Sequence, residues 1–495
     1  MNSKNKKWNI ASAVVLAILL VAELLFLAKT FMLDMLPLKL FVLLPLFAIL
    51  GTTIVVCLMF VKSKKKAKKD RKDHHVNQIL AYLLSALAII CCILGFLVIN
   101  KADSTLKAVT STDESCTVMG VYVLNEDKAH SIKDAKGYTF AYTSAFDEDI
   151  TEDTINKIDK ELNGDWNLEK YENVFYMVDA LFDKKIDAII INASRINLLE
   201  EIERYADFHD KARLIYEYRI ADQKDEEKVD KDFDPTRDPF AVYISGSDTR
   251  NGLLTKSNSD VNIIAAVNPS TKQILLVNTP RDYFIPNPRG NNQLDKLTHC
   301  GVYGIDCSIE ALENLYNTQI KYYGQVNFAG FKKLIDAIGG VDVYSDVAFG
   351  KFKKGVNHLN GEQALDFARD RYSFASGDNM RGKNQMKIIS SVINKLSSSV
   401  LIANYASVLD SVEGMFATNM PNHTIAKLIK MQLEDMAKWD VKSYAVVGTG
   451  GMDVPYSTYG QTLYVMYPNK ASVQKATELI DKVFDGEILT DADLA

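Results

Sequence analysis

Residues 239–282 read PFAVYISGSDTRNGLLTKSNSDVNIIAAVNPSTKQILLVNTPRD. Three β-like runs lie in this stretch, Phe240–Ser245, Asp260–Asn268 and Gln273–Asn278, each dense in branched apolar residues and bounded by Ser, Asn, Gly or Pro. Helical patterns follow at Cys307–Tyr316, Phe328–Ile338, Gly361–Arg369 and Asn379–Leu396, with a glycine-led strand at Gly339–Tyr344 between them. Strands mixed with helices predict an α/β domain, with a central sheet flanked by helices, over residues 239–485. Residues 486–495 read as a tail.

Working back, residues 221–238 are dense in Asp, Glu and Lys and read as a charged linker. Before it, residues 115–220 alternate strand-like runs (Val118–Leu124, Tyr138–Tyr142, Ala188–Asn192, Arg213–Tyr218) with helical ones. In Arg195–Tyr205, Ile196, Leu199 and Ile202 share one helical face. This is a small accessory α/β domain with no chemical motif, and its acidic surface reads as a solvated face. Residues 101–114 read as a polar connector.

Residues 1–100 hold three apolar stretches, about 10–28, 40–61 and 79–99, each near the ~20 residues needed to span a bilayer. The loop 62–72 carries eight basic residues, Lys4, Lys6 and Lys7 precede the first stretch, and the loop between the first two is almost uncharged. The positive-inside rule then places the N-terminus and the basic loop in the cytoplasm and everything after about Asn100 outside. Topology accounts for the basic loop, so no nucleic-acid partner is expected. Residues 1–100 carry a net charge of +9 and the remainder about −15, an unfavourable balance for polyanions in general. Glu23 in the first span suits either a partner helix or snorkelling to the interface. Cys300 and Cys307 are candidates for a disulfide outside, and the scattered histidines do not suggest a zinc site.

Arginine carries the chemistry. The chain has 12 arginines among 57 basic residues, and six fall between positions 250 and 381. The guanidinium fork matches phosphate oxygens in a way that lysine does not. Arg281 stands at a strand tip behind Pro280, and Arg369 and Arg371 end a helix. Arg381 and Gln385 share a face one turn apart near the start of another helix, for which Asp378 is a candidate N-cap. Asp248 ends one strand and Asp260 begins the next, so hairpin geometry can bring both carboxylates together as ligands for Mg²⁺ (or Mn²⁺) beside a phosphate.

Seven pieces in order, Ser-Gly-Ser-Asp248, Ser-Asn-Ser-Asp260, Thr-Pro-Arg281-Asp282, Asp295-Lys-Leu-Thr-His299, Asp336-Ala-Ile-Gly-Gly-Val-Asp342, Phe-Ala-Arg369-Asp-Arg371 and Arg381-Gly-Lys-Asn-Gln385, resemble the signature of the LytR–CpsA–Psr family. Three spans, an extra domain and a catalytic domain is the arrangement of its streptococcal CpsA/Wzg-type capsule members. The resemblance implies a Mg²⁺-dependent phosphotransferase that attaches a polyprenyl-pyrophosphate-linked glycopolymer, such as capsular polysaccharide, to peptidoglycan. It implies that Arg281, Arg369, Arg371, Arg381 and Gln385 hold the pyrophosphate, that Asp248 and Asp260 hold the metal, and that the lipid enters an apolar tunnel. Asp378 or Asp282 would serve as base. Capsule-synthesis membrane proteins are expected partners beside the bilayer. Where the family usually carries arginine two residues before the second acidic position, this chain has Asn258, and Arg250 or Arg289 are candidate substitutes. A membrane regulator of capsule synthesis, a lipid-pyrophosphate hydrolase and a non-catalytic glycan-binding module remain alternatives.

Overall fold

The computed structural model describes residues 3–60, 68–110, 116–143, 147–221, 232–247, 256–370, 373, 377–398, 405–412 and 415–494. It divides into two compact units. The first joins Met1–Thr110 to Ser397–Asp410 and Met420–Lys438. Its helices α1 (Ser3–Leu33), α2 (Leu38–Phe60) and α3 (Lys68–Thr110) each contain a stretch long and apolar enough to cross a membrane. Their outward side chains, Leu24, Phe47 and Leu83 among them, are exposed leucines and phenylalanines, as a lipid-facing surface requires. Glu23 finds a partner helix, accepting from Thr52 Oγ1 of α2 at 2.8 Å. Residues 101–110 differ from the expected connector, because α3 runs through them without a break. The helix Asn422–Asp435 packs Ala426 against Met35 and Leu106 of this unit, and Lys430 pairs with Asp34 at 2.8 Å.

The second unit contains two large sheets, of five and six strands, and three two-stranded ones. The first has β1 (Cys116–Leu124), β2 (Thr139–Tyr142), β3 (Asn167–Lys170), β4 (Ala188–Asn192) and β5 (Ala212–Ala221), in the order β3-β2-β4-β1-β5. Side chains alternate across a strand, so both faces can be buried. Ile189 and Ile191 go to one core with α5 (Val174–Phe182) and α6 (Ala193–Glu200), while Ala188 and Ile190 go to another with α4 (Glu148–Leu162). Sequence reading missed β3, because all four of its residues are exposed and it has no apolar alternation.

The second sheet has β6 (Phe240–Ser247), β7 (Val261–Asn268), β8 (Gln273–Asn278), β9 (Tyr322–Asn327), β10 (Phe416–Thr418) and β11 (Asp440–Ala445). The order is β10-β9-β6-β7-β8-β11. The meander β6-β7-β8 is antiparallel, and β9 and β11 add to its two sides in parallel, which makes the sheet mixed. One face buries Tyr243, Ile264 and Val277 against α7 (Leu297–Tyr303), α8 (Ile305–Tyr316) and α12 (Lys470–Phe484). On the other face lie α9 (Phe328–Ala337), α10 (Gly361–Arg369) and α11 (Gly377–Leu396). The glycine-led strand forms a separate hairpin, Val341–Ser345 with Gly355–Leu359. Residues 486–495 are not a free tail: Leu489 is buried in the core and its N–H donates to Gln273. Cys300 and Cys307, the candidate disulfide pair, are buried free thiols.

The two sheets are locked by charge. Arg195 of α6, 6% exposed, lies 3.4 Å from Asp147 and stacks on the ring of Tyr303 at 4.5 Å. Glu201, the C-cap of α6, receives Lys296 Nζ at 2.8 Å and faces His299 Nε2 at 3.3 Å. His299, fully buried, holds Asp295 through Nδ1 at 2.6 Å, and Asp295 also accepts from Ser457 and Asn287. Burial opposes the imidazolium, but the carboxylates of Asp295 and Glu201 outweigh it and raise the His299 pKa to about 9. Burial likewise opposes the charged form of Glu201, yet His299, Arg281 and Lys296 hold it well below the usual carboxylate range.

Two outcomes follow for the detergent-solubilised chain. Arg195→Ala removes the buried cation that pairs with Asp147 and stacks on the Tyr303 ring, and we expect a loss of about 3 kcal/mol, read as a lower denaturation midpoint. The native form keeps the His299 proton to higher pH than the unfolded form does. The contribution of His299 is therefore complete below about pH 6.5 and is lost as pH rises through about 9. Thermal melts from pH 6 to 10 should show this decline, and His299→Gln should flatten it; equal slopes in both proteins would contradict the assignment.

Candidate functional site

Between the mixed sheet and α9–α11 lies a cavity of about 410 Å³. Its walls are mainly apolar, with Ile244 and Val261 from the sheet, Phe328 and Phe331 from α9, Leu365 from α10 and Ile388 from α11. Polar groups gather in the same lining: Asp260, Arg281, Arg369, Arg381 and Gln385. Each arrives by a local cause. Asp260 precedes β7 and is fixed by its N–H to Gly246 O, so the β6–β7 register sets it opposite the end of β6. Arg281 follows the strand end at Asn278 and is pinned by its carbonyl, which accepts from Thr298 N. Arg369 is the last residue of α10, with its guanidinium over the Phe328 ring at 4.6 Å. Arg381 and Gln385 share one face of α11, and each is 8% exposed. Gly382 between them is required, since a Cβ there would collide with the Asn278 amide.

The Arg281 guanidinium is 16% exposed and held at both ends. Nη1 pairs with Asp260 Oδ1, and Nη2 with Glu201 Oε1 at 2.6 Å. Asp282 is not among the residues lining the cavity; its Oδ1 lies 3.2 Å from Lys296 Nζ and 3.7 Å from Arg281 Nε. Asp378 falls inside α11, one residue after its start, rather than at an N-cap. The side chains of Asp248, Arg250, Arg371 and Asp378 lie outside the described residues. Arg289 is exposed and pairs with Glu310 at 2.8 Å, and it does not line the cavity. Asn258 turns its amide to Glu201 Oε1 at 2.9 Å.

Glu201 is the group that sequence reading missed, because the accessory domain's acidic residues read as a solvated face. The apolar periodicity of Arg195–Tyr205 runs on as if one helix were present, whereas α6 stops at Glu200 and a 3₁₀ turn begins at Glu203. That break puts Glu201 in the junction, facing Lys296 and His299. Those two partners stood within the quoted run Asp295–His299, but nothing in the run indicated a carboxylate from another domain.

The LytR_cpsA_psr family model matches residues 206–481, more than half of the chain, and a domain of unknown function (DUF8714) matches residues 3–179. The chain is 33% identical over 222 residues to a protein of Enterococcus faecalis named polyisoprenyl-teichoic acid–peptidoglycan teichoic acid transferase TagU, covering 44% of this chain and 72% of the relative. A protein of the same name from Bacillus cereus is 35% identical over 188 residues, with 37% and 61% covered, so the chain spans less than two thirds of that relative. Among solved structures, TagV of B. subtilis aligns with a TM-score of 0.42 at 24% identity, covering 51% of this chain and 99% of that one. By the extent of the family match and by the Enterococcus relative, this chain belongs to the LytR–CpsA–Psr family.

Proposed function

We propose that this chain is a membrane-anchored phosphotransferase that moves a glycopolymer, capsular polysaccharide in our reading, from polyprenyl pyrophosphate to peptidoglycan. The N-terminus lies in the cytoplasm and both sheets lie outside. One observation carries the reading: a single apolar cavity has three arginines, a glutamine and a carboxylate in its lining. That combination suits a molecule with a hydrocarbon chain at one end and a phosphate at the other. The curated relatives, named as teichoic acid transferases of the same family, support the reaction class.

The chemistry is a transfer at phosphorus. An acceptor hydroxyl forms an O–P bond to the phosphorus that bears the sugar, the bridging P–O bond breaks, and polyprenyl phosphate leaves. Arg281, Arg369 and Arg381 would hold the phosphate oxygens and meet the charge that develops on the leaving group. Arg371 would join them. Asp378 is the candidate to take the hydroxyl proton, since Asp282 is engaged by Lys296. Asp260 is the one carboxylate among the described residues lining the cavity, and no group of three potential metal ligands occurs among the described residues, so Mg²⁺ would be held by Asp260 with Asp248 and by the phosphate oxygens themselves. The group around Arg281 sets four carboxylates (Asp260, Glu201, Asp282, Asp295) against three cations (Arg281, Lys296, His299). An incoming phosphate therefore gains from a divalent cation on Asp260 and Asp248, which would neutralise charge at the pyrophosphate.

The test uses the full chain in detergent with a short-chain lipid-pyrophosphate oligosaccharide, Mg²⁺ and peptidoglycan, following lipid phosphate release and glycan on the wall. We expect Arg281→Ala and Arg369→Ala each to lower turnover about 100-fold, and EDTA to abolish it. Lipid phosphate released with no glycan on the wall would replace the transferase by a hydrolase. Full activity in both arginine variants would sink the site.

A further inference from the structure

Asp260 and Arg281 line two spaces. One is the apolar cavity; the other is a cleft of about 570 Å³ at the junction of the two sheets. The cleft is walled on one side by the accessory domain, including Asn192, Ser194, Asn197 and Glu200, and on the other by Ser257 and Asn258 before β7. Its chemistry differs from that of the cavity. The described cations in its wall are already engaged: Arg219 by Glu217, His209 by Glu200 (3.8 Å), Lys256 by the Thr117 hydroxyl (3.0 Å) and Arg281 by Asp260 and Glu201. A phosphate-rich chain would meet paired charges and carboxylates there, whereas an uncharged polar ligand would meet amides, hydroxyls and the apolar edges of Tyr122 and Leu214.

A second observation points to a ligand. Ser257 Oγ and Asn258 Oδ1 are buried in this wall without a hydrogen-bond partner among the described residues, and Ser257 is 8% exposed. Buried polar atoms left unpaired cost about 1–3 kcal/mol each, so such a pair in a cleft wall calls for a partner. Ser257 is also held in place: its carbonyl oxygen packs so closely on Gly301 that no side chain fits there.

We propose that this cleft binds the uncharged saccharide joined to the donor phosphate, and that the accessory domain thereby reads the donor glycan. The inference rests on the reading of the Arg281 end as the phosphate site. If the hydrocarbon fills the cavity and the phosphate meets Arg281 and Asp260, the next unit of the molecule lies on their other side, in this cleft. Ser257 Oγ and Asn258 Oδ1, shielded by their neighbours, would turn into the cleft to pair with sugar hydroxyl or acetamido groups.

The experiment compares probes on the full chain in detergent by calorimetry. One is a ten-carbon isoprenyl pyrophosphate; the others carry glucose, galactose or N-acetylglucosamine on the same pyrophosphate. A soluble muropeptide serves as the acceptor probe. We expect at least one sugar to tighten binding about tenfold over the bare lipid. Asn197→Trp, which fills the cleft, should erase that gain, and Ser257→Ala should reduce it about fivefold, the worth of one hydrogen bond, with bare-lipid affinity unchanged in both. Ser257→Ala removes only an unpaired hydroxyl, so it remains informative if the tryptophan variant fails to fold. The inference is overturned if no sugar tightens binding, if both variants retain the gain, or if they weaken only the muropeptide. Failure of the bare lipid to bind the native chain would instead remove the phosphate-site reading, and this inference with it.

Discussion

The position of one guanidinium governs this site. Arg281 is mostly removed from water, and a buried cation is tolerable only if its desolvation is offset by carboxylates in good geometry. Two supply this, Asp260 from the start of β7 and Glu201 from the end of α6, one on each side of the fork. Because the carboxylates come from different sheets, the orientation of Arg281 is set by how the accessory domain meets the mixed sheet. Glu201 in turn keeps its charge in a buried place because Lys296 and His299 reach it as well. Removal of any one partner leaves an uncompensated charge behind, which ties the docking of the accessory domain to the electrostatics of the cavity.

This arrangement explains why the structural and functional residues are hard to separate. His299 never reaches the cavity lining, yet it carries a proton because two carboxylates face it, and that charge is part of what holds Glu201 against Arg281. Ser457, far along the chain, supports the same group through Asp295. A substitution in this second layer would shift the Arg281 fork without touching any ligand, since the partners around it determine where the fork points.

Local signals in the sequence were enough for part of this. The three apolar spans follow from the length of their unbroken apolar runs, and the meander β6-β7-β8 and the helices after it follow from periodicity and turn residues, because each buries one face or both. Arg281, Arg369, Arg381 and Gln385 were legible because each sits at an element end or on one helical face, and they line one cavity. Glu201 was not legible. Its role depends on α6 ending one residue earlier and on partners about 80 to 100 residues downstream, which no periodicity encodes. The same holds for β3, whose exposed side chains carry no pattern, and for Leu489, which joins the core while its N–H is held by Gln273, distant in the chain. Asn258, noted as a departure from the family's arginine, acquires a physical account: its amide donates to Glu201, while Arg281 and Lys296 already supply the positive charge there.

The charge balance also constrains how a substrate enters. With Arg281 clasped by two carboxylates, the phosphate of the proposed donor would displace at least one of them. Glu201 is the harder to displace, since Lys296, His299 and Asn258 would all lose their acceptor. Asp260 has Arg281 as its one described side-chain partner, and at 25% exposure it is the more accessible of the two. In the proposed reaction the exchange would therefore be one-sided: Asp260 would yield Nη1 to the phosphate and become available to a cation, while Glu201 keeps Nη2 fixed. The accessory domain would stay engaged throughout, and Arg281 would turn the Nη1 side of its fork to the incoming phosphate.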